Sequence, residues 1–155
     1  MKPYTCDDCP RRCHALRGET GGGICRMGAE PVLARAALHF DEEPVISGAR
    51  GSGAVFFSGC ALRCRFCQNY SISHEGYGKK VSVERLREIY FELIDQGANN
   101  INLVNPTHFT EAILQSLEGG LPVPVVWNTG GYERVETLKR LEGRVQVYLP
   151  DLKYV

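Results

Sequence analysis

Long apolar runs are missing from this sequence. No stretch approaches the ~18 consecutive apolar residues of a helical membrane span, and the opening MKPYTCDDCPRRC holds no apolar segment of the secretory kind. A cytoplasmic address is therefore expected. An excess of one charge is missing too: 18 Lys and Arg stand against 18 Asp and Glu, and the first 65 residues carry nine basic and seven acidic groups. So balanced a surface offers little to a phosphate backbone or an anionic bilayer, and neither a nucleic-acid nor a membrane partner is expected. Cysteine is absent after residue 67, yet seven cysteines precede that point. Cytosolic thiols stay reduced, the number is odd, and the seven fall into groups of four and three. That pattern reads as metal chemistry rather than disulfides.

What is present suffices for one folded unit. At 155 residues, 43% hydrophobic and 23% charged, the chain can bury an ordinary globular core. Its organising stretch is GAVFFSGCALRCRFCQNY, residues 53–70. A short apolar run leads straight into Cys60, Cys64 and Cys67. Three thiolates on a loop after a strand can hold a cluster by one face, and a four-metal cluster with three protein ligands keeps one corner open for reaction. Phe66, just before the last cysteine, either shields that cluster, stacks on a ligand, or simply packs.

Upstream, Cys6, Cys9, Cys13 and Cys25 punctuate a segment rich in turns, with Pro10, Gly18, Gly21, Gly22 and Gly23 between them. So little apolar surface cannot order the segment, whereas four thiolates around zinc or a second iron–sulfur cluster can. His14 is an alternative ligand. Residues 1–30 thus form a metal-binding knuckle. Residues 31–52 read as a connecting hairpin in which VLARAALHF is helix or strand, and EEPVIS is extended around Pro44.

From residue 53 the grammar is regular. AVFF reads as a strand buried on both faces, and INLVNP, PVVWN and VQVYLPD as the second, third and fourth strands. Between them come helices at about 83–96, from about 110, and around Val135, Leu138 and Leu141. Ser82 is the N-cap of the first, and Gly97 its stop. Strands alternating with helices predict a parallel sheet built by right-handed crossovers. Polar residues collect where the strands end: 58–67, 105–108, Asn128 and Thr129, and 151–153. Ligands of parallel α/β folds bind at that rim.

The C-x3-C-x2-C spacing with an aromatic before the third cysteine, FFSGC ahead of it, QNYSIS after it and DLK at 151–153 together resemble the radical S-adenosylmethionine (SAM) superfamily. Within it, the chain is similar to the pyruvate formate-lyase activating enzyme branch, among relatives with an upstream cysteine knuckle. The resemblance implies a partial (β/α) barrel over residues 53–155 and a [4Fe-4S] cluster on Cys60, Cys64 and Cys67. SAM would chelate the open iron and be cleaved reductively to methionine and a 5′-deoxyadenosyl radical, which takes hydrogen from a substrate. A glycyl-radical protein as substrate, and flavodoxin or ferredoxin as reductant, belong to the same implication. Asn128, Thr129, Asp151 and Lys153 match SAM-contacting positions. Where the family has Gly-Gly-Glu after the second strand, this chain has Asn105, Pro106, Thr107 and His108, so Thr107 and His108 would supply the hydrogen bonds there. Such a barrel has six βα units, and the sequence ends after a fourth strand, so a fragment or a partner-completed sheet is expected. Two other functions compete: an iron–sulfur electron-transfer protein without SAM, and a zinc-stabilised binding module in which all seven cysteines are structural.

Overall fold

In a computed structural model of the protein, which describes residues 1–153, the chain forms a mixed α/β fold around one sheet. In order its elements are β1 (Tyr4–Thr5), β2 (Leu16–Arg17), β3 (Val32–His39), α1 (Pro44–Ser47), β4 (Ser52–Phe57), α2 (Tyr70–Ser73), β5 (Lys79–Lys80), α3 (Val83–Asp95), β6 (Ile101–Val104), a 3-10 turn (Thr107–Phe109) that runs into α4 (Thr110–Ser116), β7 (Val125–Thr129), α5 (Val135–Leu141) and β8 (Val147–Pro150). The six-stranded sheet has the order β5-β3-β4-β6-β7-β8. Strands β4, β6, β7 and β8 run parallel, and β3 is antiparallel to both β4 and β5. Residues 154 and 155, the last two of the 53–155 unit, lie outside the described residues.

Alternation along the strands sorts the two faces. Val55, Phe57, Ile101, Leu103, Val125 and Trp127 join Leu86, Tyr90, Leu93, Ile113 and Leu141 of the helices in one apolar core. Helix α3 forms as its pattern dictates: the Ser82 side chain accepts the Arg85 N–H at 3.1 Å, and Leu86, Ile89, Tyr90 and Leu93 are buried. The opposite sheet face carries Phe56, Asn102, Val104 and Asn128, and faces the cavity described below.

Residues 31–52 depart from expectation in two respects. VLARAALH resolves as strand, ladder-paired on both edges, but its antiparallel partner is β4, the first strand of the following unit, rather than a second strand within 31–52. EEPVIS, however, is not extended: Pro44 opens α1. A proline at the first helical position gives up an N–H that has no partner there anyway. The steric restriction falls instead on Glu43, which is extended at φ −43°, ψ 134°. No helix among the described residues is long and apolar enough to cross a membrane.

Candidate metal centre

The loop after β4 carries Cys60, Cys64 and Cys67, and its first turn is closed by Gly59. At φ +78° a side chain there would be strained, and a Cβ would lie 2.5 Å from Met27 Cγ and 2.9 Å from the Cys25 carbonyl oxygen. The Gly59 N–H donates to the Ile72 carbonyl (2.9 Å), and its own carbonyl accepts from Asn105 Nδ2 (2.7 Å). The Cys67 N–H donates to the Cys64 carbonyl at 3.2 Å, and Ser73 Oγ donates to Cys67 Sγ at 3.2 Å. Burial pushes the Cys60 thiol up, and the backbone N–H groups of Arg63 and Leu62, aimed at its sulfur, offset only part of that rise. N–H groups directed at sulfur stabilise a thiolate and tune any cluster it holds. Among the described residues no three Cys, His, Asp or Glu side chains already converge on one metal position. The chain fixes the loop, its turns and its sulfur-directed donors.

Left-handed backbone at non-glycine residues is uncommon and collects at functional sites. Here Arg12, His14, Arg26, Arg63 and Asn105 adopt it. Four of these five adjoin Cys13, Cys25 or Cys64 in sequence, and Asn105 lines the cavity beside Cys60, Cys64 and Cys67. Strain is thus spent at the two cysteine groups.

One cavity is lined by Cys60, Cys64 and Cys67 together with Asn128, Thr129, Asp151 and Lys153. All seven were singled out from sequence, and the parallel strand ends bring them together. Phe66 is exposed and is not part of this lining. Thr107 and His108 are turned away. The 3-10 turn that precedes α4 begins at Thr107, earlier than the expected helix start, and commits both side chains internally. Thr107 Oγ1 donates to Glu133 Oε1 at 2.5 Å. His108 is 1% exposed, with Nε2 at 2.7 Å from the Ser58 carbonyl oxygen. That carbonyl can only accept, so Nε2 carries the proton and Nδ1 is left bare and unpartnered.

Asn105 is among the polar residues expected at the strand ends, whereas Glu42 and Glu133 give no local signal. Asn105 holds the cysteine loop through Gly59. Glu42, from the segment after β3, accepts Nδ2 of Asn102 (2.9 Å) and of Asn128 (3.0 Å). Glu133 accepts the Thr107 and Thr129 hydroxyls and, at 3.4 Å, Trp127 Nε1. These bonds give the cavity its polarity. The side-chain amides of Asn105 and Asn128 are held in place by Gly59 and Glu42, each through one N–H, and each keeps a second N–H and a carbonyl oxygen. The Thr129 hydroxyl proton is spent on Glu133. Lys153 is ion-paired with Asp151. A rim of cysteine sulfurs, two asparagine amides and the Asp151–Lys153 pair suits a small ligand that carries charge of both signs and hydrogen-bonding groups.

His108 also sets a pH dependence. Burial lowers its pKa to about 3 from an ordinary 6.5, because the apolar surroundings disfavour the imidazolium. Below 6.5 the unfolded chain takes up a proton that the folded chain refuses, so this stability is complete above pH 6.5 and drains as pH falls toward 3. Urea unfolding at pH 5.5 should give about 1.4 kcal/mol less from this residue than at pH 7.5. The difference should shrink in His108→Gln, and an equal pH slope in the variant would contradict the assignment.

Residues 47–148 match the profile of a family described as the 4Fe-4S single cluster domain. The chain belongs to that family. The 4Fe-4S single cluster match covers the loop and the cavity lining apart from Asp151 and Lys153, and it holds three of the seven cysteines, Cys60, Cys64 and Cys67. An uncharacterized protein of Methanocaldococcus jannaschii is 35% identical over 159 aligned residues, covering 96% of this chain and 45% of that relative. The chain therefore spans less than half the length of that relative. No solved structure matches it. As a 4Fe-4S single cluster protein, the chain is an iron–sulfur cluster-binding domain.

Proposed function

We propose that the protein is a radical SAM enzyme in which Cys60, Cys64 and Cys67 hold three irons of a [4Fe-4S] cluster and the fourth iron is left for SAM. The observation that carries this reading is the match of a single-cluster family to a span with three cysteines, all three on one cavity with Asn128, Thr129, Asp151 and Lys153. Three thiolates leave a four-iron cluster one open position, and open positions serve reaction rather than structure. The polarity of the rim supports SAM in particular. Its sulfonium and ammonium suit the cysteine sulfurs and the Asp151 carboxylate, while Lys153 offers a cation to its carboxylate.

With cluster and SAM bound, the chemistry supplied is one-electron cleavage of the S–C5′ bond to methionine and a 5′-deoxyadenosyl radical, which abstracts hydrogen from a substrate. The chain's own residues orient and shield. Gly59 and Asn105 fix the loop entry, the Leu62 and Arg63 amides face Cys60, and Glu42 and Glu133 hold Asn128 and Thr129 in one orientation. The sheet forms part of a radical SAM barrel in this reading. An activase-like role on a glycyl-radical protein, with flavodoxin or ferredoxin as electron donor, extends it.

The test is spectroscopic. After anaerobic reconstitution with iron and sulfide and reduction with dithionite, SAM should change the electron paramagnetic resonance spectrum of the cluster. A fully loaded cluster whose spectrum ignores SAM would instead make this an electron-transfer protein.

A further inference from the structure

Arg17 is 1% exposed, yet among the described residues it pairs with no carboxylate. Its Nε donates to the Gly28 carbonyl (2.8 Å), Nη2 to the His108 carbonyl (2.8 Å), and the guanidinium lies 5.5 Å over the Phe109 ring. Nη1 is aimed at two sulfurs, Cys25 Sγ at 3.3 Å and Cys6 Sγ at 3.7 Å. The nearby buried carboxylate, Asp8, is paired with Arg140 at 2.9 Å through one oxygen and lies 3.5 Å from Cys6 Sγ through the other. A guanidinium buried without a counter-charge is costly, since arginine cannot shed its proton. Thiolate sulfur is the counter-charge within reach.

Other features of residues 1–30 agree. Cys6, Cys9 and Cys25 are buried, and backbone N–H groups of Asp8 and Arg11 are directed at the sulfurs of Cys6 and Cys9. Gly23 is left-handed at φ +68°, where a side chain is strained, and it lies against Cys13: a Cβ there would be 2.6 Å from Cys13 Sγ. Left-handed turns at Arg12, His14 and Arg26 flank Cys13 and Cys25. The regular structure here amounts to a pair of two-residue strands. Such a segment needs a crosslink to stay ordered.

We infer that Cys6, Cys9, Cys13 and Cys25 form a second, closed metal centre for one zinc-class divalent ion, and that Arg17 is its positioning residue and counter-charge. Four thiolates around a divalent ion leave two negative charges uncompensated. Arg17 offsets one of them through N–H···S bonds to two ligands at once. A closed four-thiolate site has no open position, so its part is structural. It anchors the knuckle that Arg11 ties to the cysteine loop through the carbonyls of Ala61 (2.9 Å) and Leu62 (3.1 Å).

The test uses the full chain with Cys60, Cys64 and Cys67 all changed to serine, so that metal bound elsewhere is read alone and independently of the proposed SAM chemistry. Elemental analysis should find about one zinc per chain. Arg17→Gln should weaken zinc in competition with a chelator by roughly 10–100-fold, as loss of an outer partner does. Arg17→Lys, which keeps the charge and loses the fork, should fall between. If Arg17→Gln does not fold, cobalt bound to Arg17→Lys should show a thiolate-to-metal absorption shifted from that of the Arg17 protein. Absence of zinc, iron and sulfide in its place, or unchanged affinity and absorption in the Arg17 variants would each overturn the inference.

Discussion

Cys60→Ala should strip the iron from the loop and drop SAM cleavage to background, while Cys9→Ala should leave cluster loading largely in place and mainly lower the unfolding temperature. The two cysteines differ in what surrounds them. Cys60 follows β4, lines the cavity with Cys64 and Cys67, and receives the amides of Leu62 and Arg63. With three protein ligands and no fourth thiol on that loop, losing one leaves a cluster held at two corners. Cys9 instead belongs to the knuckle that Thr137 and Arg140 of α5 clasp through Asp8. Its loss removes order from that packing rather than a ligand from the cavity. Iron and sulfide analysis of both variants, beside thermal melts, separates the roles. Equal loss of cluster iron in the two would refute the division of labour.

Gly59→Ala should be the most damaging change that touches no ligand. Two costs add at this position. A side chain at φ +78° costs about 1–3 kcal/mol in backbone strain. A Cβ 2.5 Å from Met27 Cγ and 2.9 Å from the Cys25 carbonyl forces a displacement worth a further ~1–3 kcal/mol. The expected loss is roughly 2–6 kcal/mol by urea denaturation, together with poorer iron incorporation, because the displaced residue precedes Cys60. Gly97→Ala is the internal control. Gly97 has φ +100° with nothing within 4 Å of its would-be Cβ, so strain acts there without contact. If Gly59→Ala is no worse than Gly97→Ala, the packing of knuckle against cysteine loop has been overstated.

Much of this was legible in the sequence, for a local reason. Cysteine spacing, helix periodicity with Ser82 as cap, and polar residues after each apolar run are short-range signals. They placed Cys60, Cys64, Cys67, Asn128, Thr129, Asp151 and Lys153 around one cavity. The misses share the opposite cause. Pro44 reads alike as a breaker or as the first residue of a helix, and only the fold of the hairpin decides. Thr107 and His108 lie at the right strand end, but a 3-10 turn starting there draws their side chains toward Glu133 and Ser58. Arg17, Glu42 and Glu133 are ordinary charged residues until partners distant in sequence give them meaning, such as the His108 carbonyl for Arg17 and Asn128 for Glu42. Nothing in a linear pattern announces such pairs.

The central claim is that the three-cysteine loop serves SAM chemistry, and product analysis tests it most directly. The reconstituted, dithionite-reduced protein is incubated anaerobically with SAM, and 5′-deoxyadenosine is quantified against bound iron. Release of 5′-deoxyadenosine that depends on the cluster and vanishes in Cys60→Ala is the predicted result. A chain loaded with four irons and sulfide that leaves SAM intact would contradict it.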